Sequence, residues 1–392
     1  KFDALSSRDY YALSGYLQSS DYREVRFESM EHNGRIADAL QQLDQQFRQQ
    51  LKATLESTAA ASSAKTMPAL SMPALTMPAL TVPSERILVD YTQPMGSEFR
   101  QEGFIWGQNS LPAGSLLPPG ADSPGALLAA PVGCATSDHF WDGMKSHHGP
   151  SFNLRSRLMS IPRSGRTLWS PTVLLHDGIV DCRVRGGGFI VACVDSHRLI
   201  AGPLHGETVR EFGAAEGWQW VRLNLGRYVG HHLHLEFTPA DGQVLEVQTV
   251  LQGATEEDRQ HVEHRERNTA EQVTAQLANV NAAIAAETDL QQQVIELQQQ
   301  WQQQREDLRK RVQLESHLAM AMMDGTGEND HVLIRGSSAN PGDVVPRRFL
   351  EALDGPAPME IPSGSGRLQL AARMTDAANP LTARVIVNRI WH

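Results

Sequence analysis

The densest imidazole cluster is His231, His232 and His234. Strand side chains alternate between faces, so His232 and His234 would share one face and could hold a metal ion. No carboxylate or cysteine stands at a convincing third position, so the expectation is exposed strand histidines and no metal site. His147-His148-Gly149-Pro150 reads as a loop with the same outcome. His261 and His264 are three apart and could chelate from one helix face, but the Glu and Arg residues around them point to a solvated face. Cys134, Cys182 and Cys193 are too few for a disulfide framework and too widely spaced for a zinc motif. At most one disulfide could form, and Cys182 and Cys193 sit on strand candidates near enough to raise the question. Nucleophile elbow, Walker loop, zinc-protease helix and calcium loop are all absent from the sequence, and no catalytic residue is assigned. Asp324 to Asp330 is acidic but lacks calcium-ligand spacing. Gly186-Gly187-Gly188 precedes no helix-opening pattern, so it reads as a hairpin turn and not as a phosphate cradle.

Two sets of side chains remain as ligand-binding candidates. Arg335, Arg347, Arg348, Arg367, Arg384 and Arg389 recur near the C-terminus beside Asp343, Asn379 and Asn388. Arg384 and Asn388 are four apart and would share a helix face. Such guanidiniums can grip a carboxylate, a sulfate or a haem propionate through paired hydrogen bonds, or can serve as structural salt bridges. Trp218 and Tyr228, with Trp220 and Trp169, belong to a β region. Exposed aromatics there can stack on sugar rings, with Asp195, Arg198 or Asn224 as polar contacts. Core packing is the competing role, and alternation predicts it for Trp220.

The elements that would position these residues follow from patterning. Residues 8–57 read as helical, with Asp9 as a cap and an apolar stripe of Ile36, Leu40, Leu43, Phe47, Leu51 and Leu55. In 58–84 the pentad Met-Pro-Ala-Leu-Ser/Thr repeats at Met67, Met72 and Met77, and a Pro every few residues makes an extended linker. Residues 85–252 switch to short strands separated by Gly, Pro, Asp and Asn clusters, which favours an antiparallel β-sandwich. Leu233, Leu235 and Phe237 alternate with His232, His234 and Glu236, as in a half-buried strand. Residues 253–316 read as a long coiled-coil helix whose heptads slip after Ile284 and resume at Leu290, a stammer. This helix is expected to pair within the chain with the one before the linker, as an antiparallel hairpin carrying the β region as an insertion. Residues 317–392 form a small, mostly α-helical domain, with a strand at His331 to Ile334, a turn at Asn340-Pro341-Gly342, and Pro346 opening a helix through Phe349 and Leu350. Ser365 would cap the next helix, and Asn379-Pro380 would start another.

The 392-residue chain carries 35 Lys and Arg against 45 Asp and Glu, a net charge of −10 that argues against nucleic acid as a partner. With 41% hydrophobic and 20% charged residues, most of it can support packed cores. No run approaches the roughly 18 apolar residues of a membrane span. The chain begins at Lys1 without an initiator Met and stops at Trp391-His392 inside an apolar-periodic segment, so a piece of a longer protein is expected.

Two segments resemble a known family. The first is Lys1-Phe2-Asp3 with Arg8-Asp9-Tyr10-Tyr11-Ala12-Leu13. The second runs through Val332-Leu333-Ile334-Arg335-Gly336 and Asn340-Pro341-Gly342-Asp343-Val344-Val345-Pro346-Arg347-Arg348-Phe349-Leu350. It continues through Ser365-Gly366-Arg367-Leu368 and Asn379-Pro380-Leu381-Thr382-Ala383-Arg384-Val385 to Val387-Asn388-Arg389-Ile390-Trp391. Together they resemble the planctomycete cytochrome-c-associated proteins, in which PSCyt- and PSD-type domains of unknown function flank a variable middle. The middle resembles a jelly-roll, galactose-binding-like module through Leu168-Trp169-Ser170-Pro171-Thr172, Val194-Asp195-Ser196-His197-Arg198-Leu199-Ile200 and Trp220-Val221-Arg222-Leu223. In relatives a Cys-x-x-Cys-His-Asp-His sequence directly precedes the first segment and could attach haem. The resemblance thus implies haem c in the parent, with no attachment site in this chain. It implies an extracytoplasmic location (periplasm or cell surface), a redox partner reached through the parent, and a polysaccharide as a second candidate partner. The functional expectation is a non-catalytic scaffold and ligand-binding portion of a protein in electron transfer; the alternative is a polysaccharide-binding or -processing surface protein.

Overall fold

A computed structural model describes residues 5–18, 20–61, 79–117, 124–147, 161–195, 197–198, 206–324, 327–337, 340–362 and 364–391. Lys1-Phe2-Asp3, the pentad repeat at Met67, Met72 and Met77, and His148 to Pro150 lie outside the described residues. Helices and antiparallel sheets are mixed, as an α+β chain of more than one domain requires. The helices are α1 (Ser7–Gln18), α2 (Phe27–Ala61), α3 (Glu256–Ala286), α4 (Thr288–Arg309), α5 (Glu351–Asp354), α6 (Arg367–Thr375) and α7 (Pro380–Trp391). The chain divides into two compact units, one of Glu24–Cys193 with Leu199–Ala319, the other of Lys1–Arg23, Val194–Arg198 and Met320–His392.

In the larger unit the apolar stripe of α2 buries Leu43, Phe47, Leu51 and Leu55 against Leu290, Val294 and Trp301 of α4 and Val280 and Ile284 of α3. Each such side chain contributes about 1.5–3 kcal/mol on leaving water. The pairing of α2 with α4 is antiparallel, since Asn33 donates to the Gln313 carbonyl while the Trp301 indole donates to Asp44. The helical hairpin expected from the sequence is therefore present. The long helix of 253–316 is two helices, however. Glu287 is extended at φ −117° and ψ 102°, and α4 begins at the next residue. In one continuous helix Ile284 and Leu290 would point about 120° apart. The break lets both reach the same core, so the heptad slip is a chain break and no stammer. Residues 8–57 are likewise interrupted, because Ser20–Val25 is a strand paired with Ala319–Asp324. That partner lies some three hundred residues away in sequence.

Two sheets form the sandwich-like body of this unit. In one, the strands Gln219–Asn224, Ile179–Gly186, Leu245–Gln252 and Ile87–Asp90 are neighbours in that order. In the other, Gly188–Val194, His232–Pro239, Arg166–Trp169 and Arg100–Gly103 follow one another. Tyr91, just past the end of the first sheet's Ile87–Asp90, donates its hydroxyl to the Trp169 carbonyl of the second at 3.1 Å. Gly186-Gly187-Gly188 therefore passes the chain between sheets and is not a hairpin turn. Gly186 sits at φ +91°, and a Cβ there would lie 1.9 Å from the Val244 carbonyl oxygen. The first sheet's outer face is polar and covered by α3. Asp181 accepts from Arg222 at 2.7 and 2.9 Å and from Arg259 at 2.9 Å, and Arg183 reaches Glu266 at 2.9 Å. Thr255 and Asp258 close a reciprocal cap on the α3 N-terminus.

In the smaller unit Asp330–Leu333 pairs antiparallel with Pro341–Val345, so the expected turn at Asn340-Pro341-Gly342 leads straight into a strand. Phe349 and Leu350 precede α5 and are not part of it. Asp9 is not the cap of α1. Ser6 accepts from the Asp9 N–H while Asp9 accepts back from the Ser6 N–H.

Candidate functional site

The strand His232–Pro239 alternates as its sequence requires, with Leu233, Leu235 and Phe237 on one buried face. The other face was expected in water, yet only His232 is exposed, while His234, Glu236 and Thr238 are buried. The segment leading into Arg166–Trp169 covers it. Ile161 packs with Val191, Cys193 and Val209, and the Arg163 guanidinium donates to Glu236 Oε2. The Thr167 hydroxyl donates to the Arg163 carbonyl at 2.9 Å and holds that segment down. Trp169, cross-strand from Glu236, stacks on the His234 imidazole with ring centres 5.5 Å apart.

Under this cover three ligand-type side chains converge. Cys193 Sγ donates to Glu236 Oε1 at 3.2 Å, and His234 Nε2 lies 3.5 Å from the same oxygen. The three ligand atoms all lie within 4.8 Å of one another. Cys193 and Glu236 are fully buried, and His234 is 6% exposed. Arg163, also buried, balances the Glu236 charge in a setting where a lone carboxylate would cost several kcal/mol. His234 Nε2 is enclosed and has no hydrogen-bond partner among the described residues. The thiol is buried and bonded to the carboxylate, with no hydrogen bond to His234 Nε2. Sequence reasoning missed it. His234 and Glu236 share a strand face two residues apart, but only the pairing of their strand with Gly188–Val194 brings up Cys193. The expectation of exposed strand histidines holds for His231 and His232 and fails for His234, which is buried.

The sequence-predicted candidates are placed differently. Arg348 is buried and donates to Asp9 Oδ1 at 2.6 Å and to Glu351 at 2.9 Å. Arg347 donates to the Gly364 and Ser365 carbonyls at 3.0 and 2.8 Å. Arg367 reaches Asp324 at 2.8 Å. Arg335 is exposed in a left-handed conformation, φ +54°. Arg384 and Asn388 are exposed together on α7. Trp218 and Tyr228 bracket the edge strand Gln219–Asn224. Trp218 is half-buried under the Arg185 guanidinium, 5.3 Å from its ring centre. Tyr228 is buried, and its hydroxyl is pushed up in pKa by that burial and by Glu207. Trp220 is also engaged, donating to Glu263 at 2.9 Å. The three cysteines are buried and none is in a disulfide, and Cys182 and Cys193 belong to different sheets. Burial, then the neighbouring Asp181, pushes the Cys182 thiol far up in pKa.

Among the described residues no helix is long and apolar enough to cross a membrane. No curated protein and no solved structure matches the chain. Residues 366–392, which comprise α6 and α7, match the family model PSD1, described as "Protein of unknown function (DUF1553)".

Proposed function

We propose that this chain is a non-catalytic scaffold and ligand-binding portion of an extracytoplasmic, haem-c-associated protein whose parent acts in electron transfer. The observation that carries the scaffold part is the use of the basic residues around the PSD1 match. Arg347, Arg348, Arg367 and Arg373 are each bonded to groups of their own unit, so they hold it together. The haem, the redox partner and the location rest on the resemblance of the flanking segments to the planctomycete cytochrome-c-associated proteins. The two-sheet body would be the jelly-roll, galactose-binding-like module of that arrangement. The test is a pyridine-haemochrome spectrum with intact mass on the parent protein from its native host. Covalent haem supports the reading, and its absence removes electron transfer from it.

A polysaccharide-binding role is the second reading, favoured by Trp218. Its ring is partly open beside an edge strand with a guanidinium over it, an arrangement that can stack on a sugar while donating hydrogen bonds. Tyr228 offers little face for stacking, so the reading now rests on Trp218. Glycan binding by the full chain that survives Trp218→Ala would remove that residue from the site.

A further inference from the structure

We propose that Cys193, His234 and Glu236 form a binding site for one divalent transition-metal ion of borderline softness, of the zinc class. Thiolate, imidazole and carboxylate are the donors such an ion takes, at about 2.3, 2.0 and 2.0 Å. Tetrahedral placement at those lengths sets sulfur and carboxylate oxygen about 3.5 Å apart, and imidazole nitrogen and oxygen about 3.3 Å apart. The separations here are 3.2 and 3.5 Å, each within about 0.3 Å of those values, and sulfur and nitrogen, which the same geometry sets about 3.5 Å apart, lie within 4.8 Å of one another. The donors sit on two neighbouring strands of one sheet, which fixes their spacing without a loop having to order. Arg163 bonds the carboxylate oxygen turned away from the trio and so orients Glu236, as outer partners of metal ligands do.

A purely structural cluster accounts for less. The Cys193 to Glu236 hydrogen bond and the Arg163 to Glu236 pair give the carboxylate its partners, yet His234 Nε2 is left enclosed with no hydrogen bond among the described residues. An enclosed ring nitrogen aimed at a thiol and a carboxylate is accounted for if it donates its lone pair to an ion. The protons balance as follows. The ion displaces the Cys193 thiol proton to solvent, and with the Nε2 lone pair on the ion the His234 ring proton sits on Nδ1. Thiolate and carboxylate offset the two positive charges of the ion, and the charge of Arg163 that this leaves over favours an anion as the remaining ligand. Three protein ligands leave one coordination position for water or a small anion.

The test is cobalt titration of the full chain after treatment with a chelator. One cobalt per chain is expected, with thiolate-to-cobalt charge-transfer absorption in the near ultraviolet, one proton released per ion and displacement by zinc. Cys193→Ser should abolish the charge-transfer band, while Cys134→Ser and Cys182→Ser retain it. His234→Gln is the second variant, since it keeps the thiol and should lose the one-to-one stoichiometry. X-ray absorption on the unsubstituted zinc-loaded chain needs no folded variant and should show one sulfur among nitrogen and oxygen donors. A chain that takes up no cobalt, a band that survives Cys193→Ser, or a zinc shell without sulfur would overturn the site.

Discussion

Replacing Asp9 by Asn should loosen the smaller unit and leave the larger one unchanged. Asp9 is 2% exposed and Arg348 4%. Asp9 Oδ1 accepts from Arg348 at 2.6 Å and from the Glu351 N–H at 2.9 Å, and Oδ2 accepts from the Ser6 N–H and hydroxyl, both at 2.8 Å. Removing one partner of a buried ion pair costs about 3–5 kcal/mol, because the remaining charge stays enclosed. Asn keeps an oxygen for Arg348 and Glu351 but turns an amide donor toward the Ser6 donors. Glu351, half-exposed at 2.9 Å, still offsets part of the guanidinium charge. The cost should therefore fall at the lower end, about 3 kcal/mol, or roughly a hundredfold in the opening equilibrium. Hydrogen exchange read by mass spectrometry separates the two units. Amides of α1 and of residues 341–354 should exchange about a hundredfold faster in Asp9→Asn, with those of the two-sheet body unaffected.

Acid adds a second check on the same side chain. Burial pushes the Asp9 carboxyl up, but the N–H groups of Glu351 and Ser6, the Ser6 hydroxyl and Arg348 together hold it well below its ordinary value of 3.8. A depressed carboxyl contributes stability that is present above the unfolded value and is lost as pH falls through the folded one. The difference between the two proteins should thus persist down to about pH 4 and shrink below it. The exposed pair Arg8–Asp343, 3.2 Å apart, is the control, and Asp343→Asn should cost about 0–1 kcal/mol. An Asp9→Asn effect no larger than that control, or one insensitive to acid, would refute the reasoning from burial.

Three further outcomes can be measured by denaturant unfolding. Gly186→Ala should cost about 3 kcal/mol or more, because its Cβ would meet the Val244 oxygen at 1.9 Å and φ is positive, whereas Gly213→Ala, with nothing within 4 Å, should stay within about 0.5 kcal/mol. Asp181→Ala should cost about 3 kcal/mol, the lower end for a broken buried pair, since Arg259 on α3 keeps Glu256; Arg222→Ala should cost far less, since Arg222 is 53% exposed. Asp44→Asn should be neutral or stabilising at pH 7. Burial raises the Asp44 carboxyl despite the Trp301 indole bond, so its ionisation opposes folding above its ordinary value and the opposition fades as pH falls. A clear loss of stability at pH 7 would count against that sign.

The parts of the fold legible in the sequence are those that one segment encodes alone. The α2 stripe from Leu43 to Leu55 and the four-residue steps of α4 from Leu290 to Val294 each declare a buried face, and the two faces meet. What escaped reading depends on a distant partner or on direction. Ser20–Val25 becomes a strand because Ala319–Asp324 supplies its hydrogen bonds. The glycine run at Gly186 announces tight backbone contact, but nothing local says whether the chain returns to its own sheet or crosses to the other. Arg348 is an ordinary surface residue by type, and its burial depends on Asp9, three hundred and thirty-nine positions earlier.

Polar residues at alternate strand positions normally announce a solvated face, and both sheets of the larger unit break that rule in the same way. In the first, Asp181 and Arg183 lie under α3, which brings Arg259 and Glu266 to meet them. In the second, Glu236 lies under the segment that brings Arg163. Alternation reports which side chains share a face and is silent about what covers it. Charges of opposite sign supplied by the covering element let each face be buried, and because an unmatched charge there is so costly, they also select which element docks. The two faces differ in one respect. Around Asp181 each buried charge meets a partner from the cover, which makes that face a joint. Around Glu236 the cover supplies Arg163 for the carboxylate and leaves the His234 nitrogen turned toward a thiol and an oxygen already engaged. Stacking on Trp169 accounts for the ring of His234, and coordination of an ion would account for the nitrogen that the packing leaves unbonded.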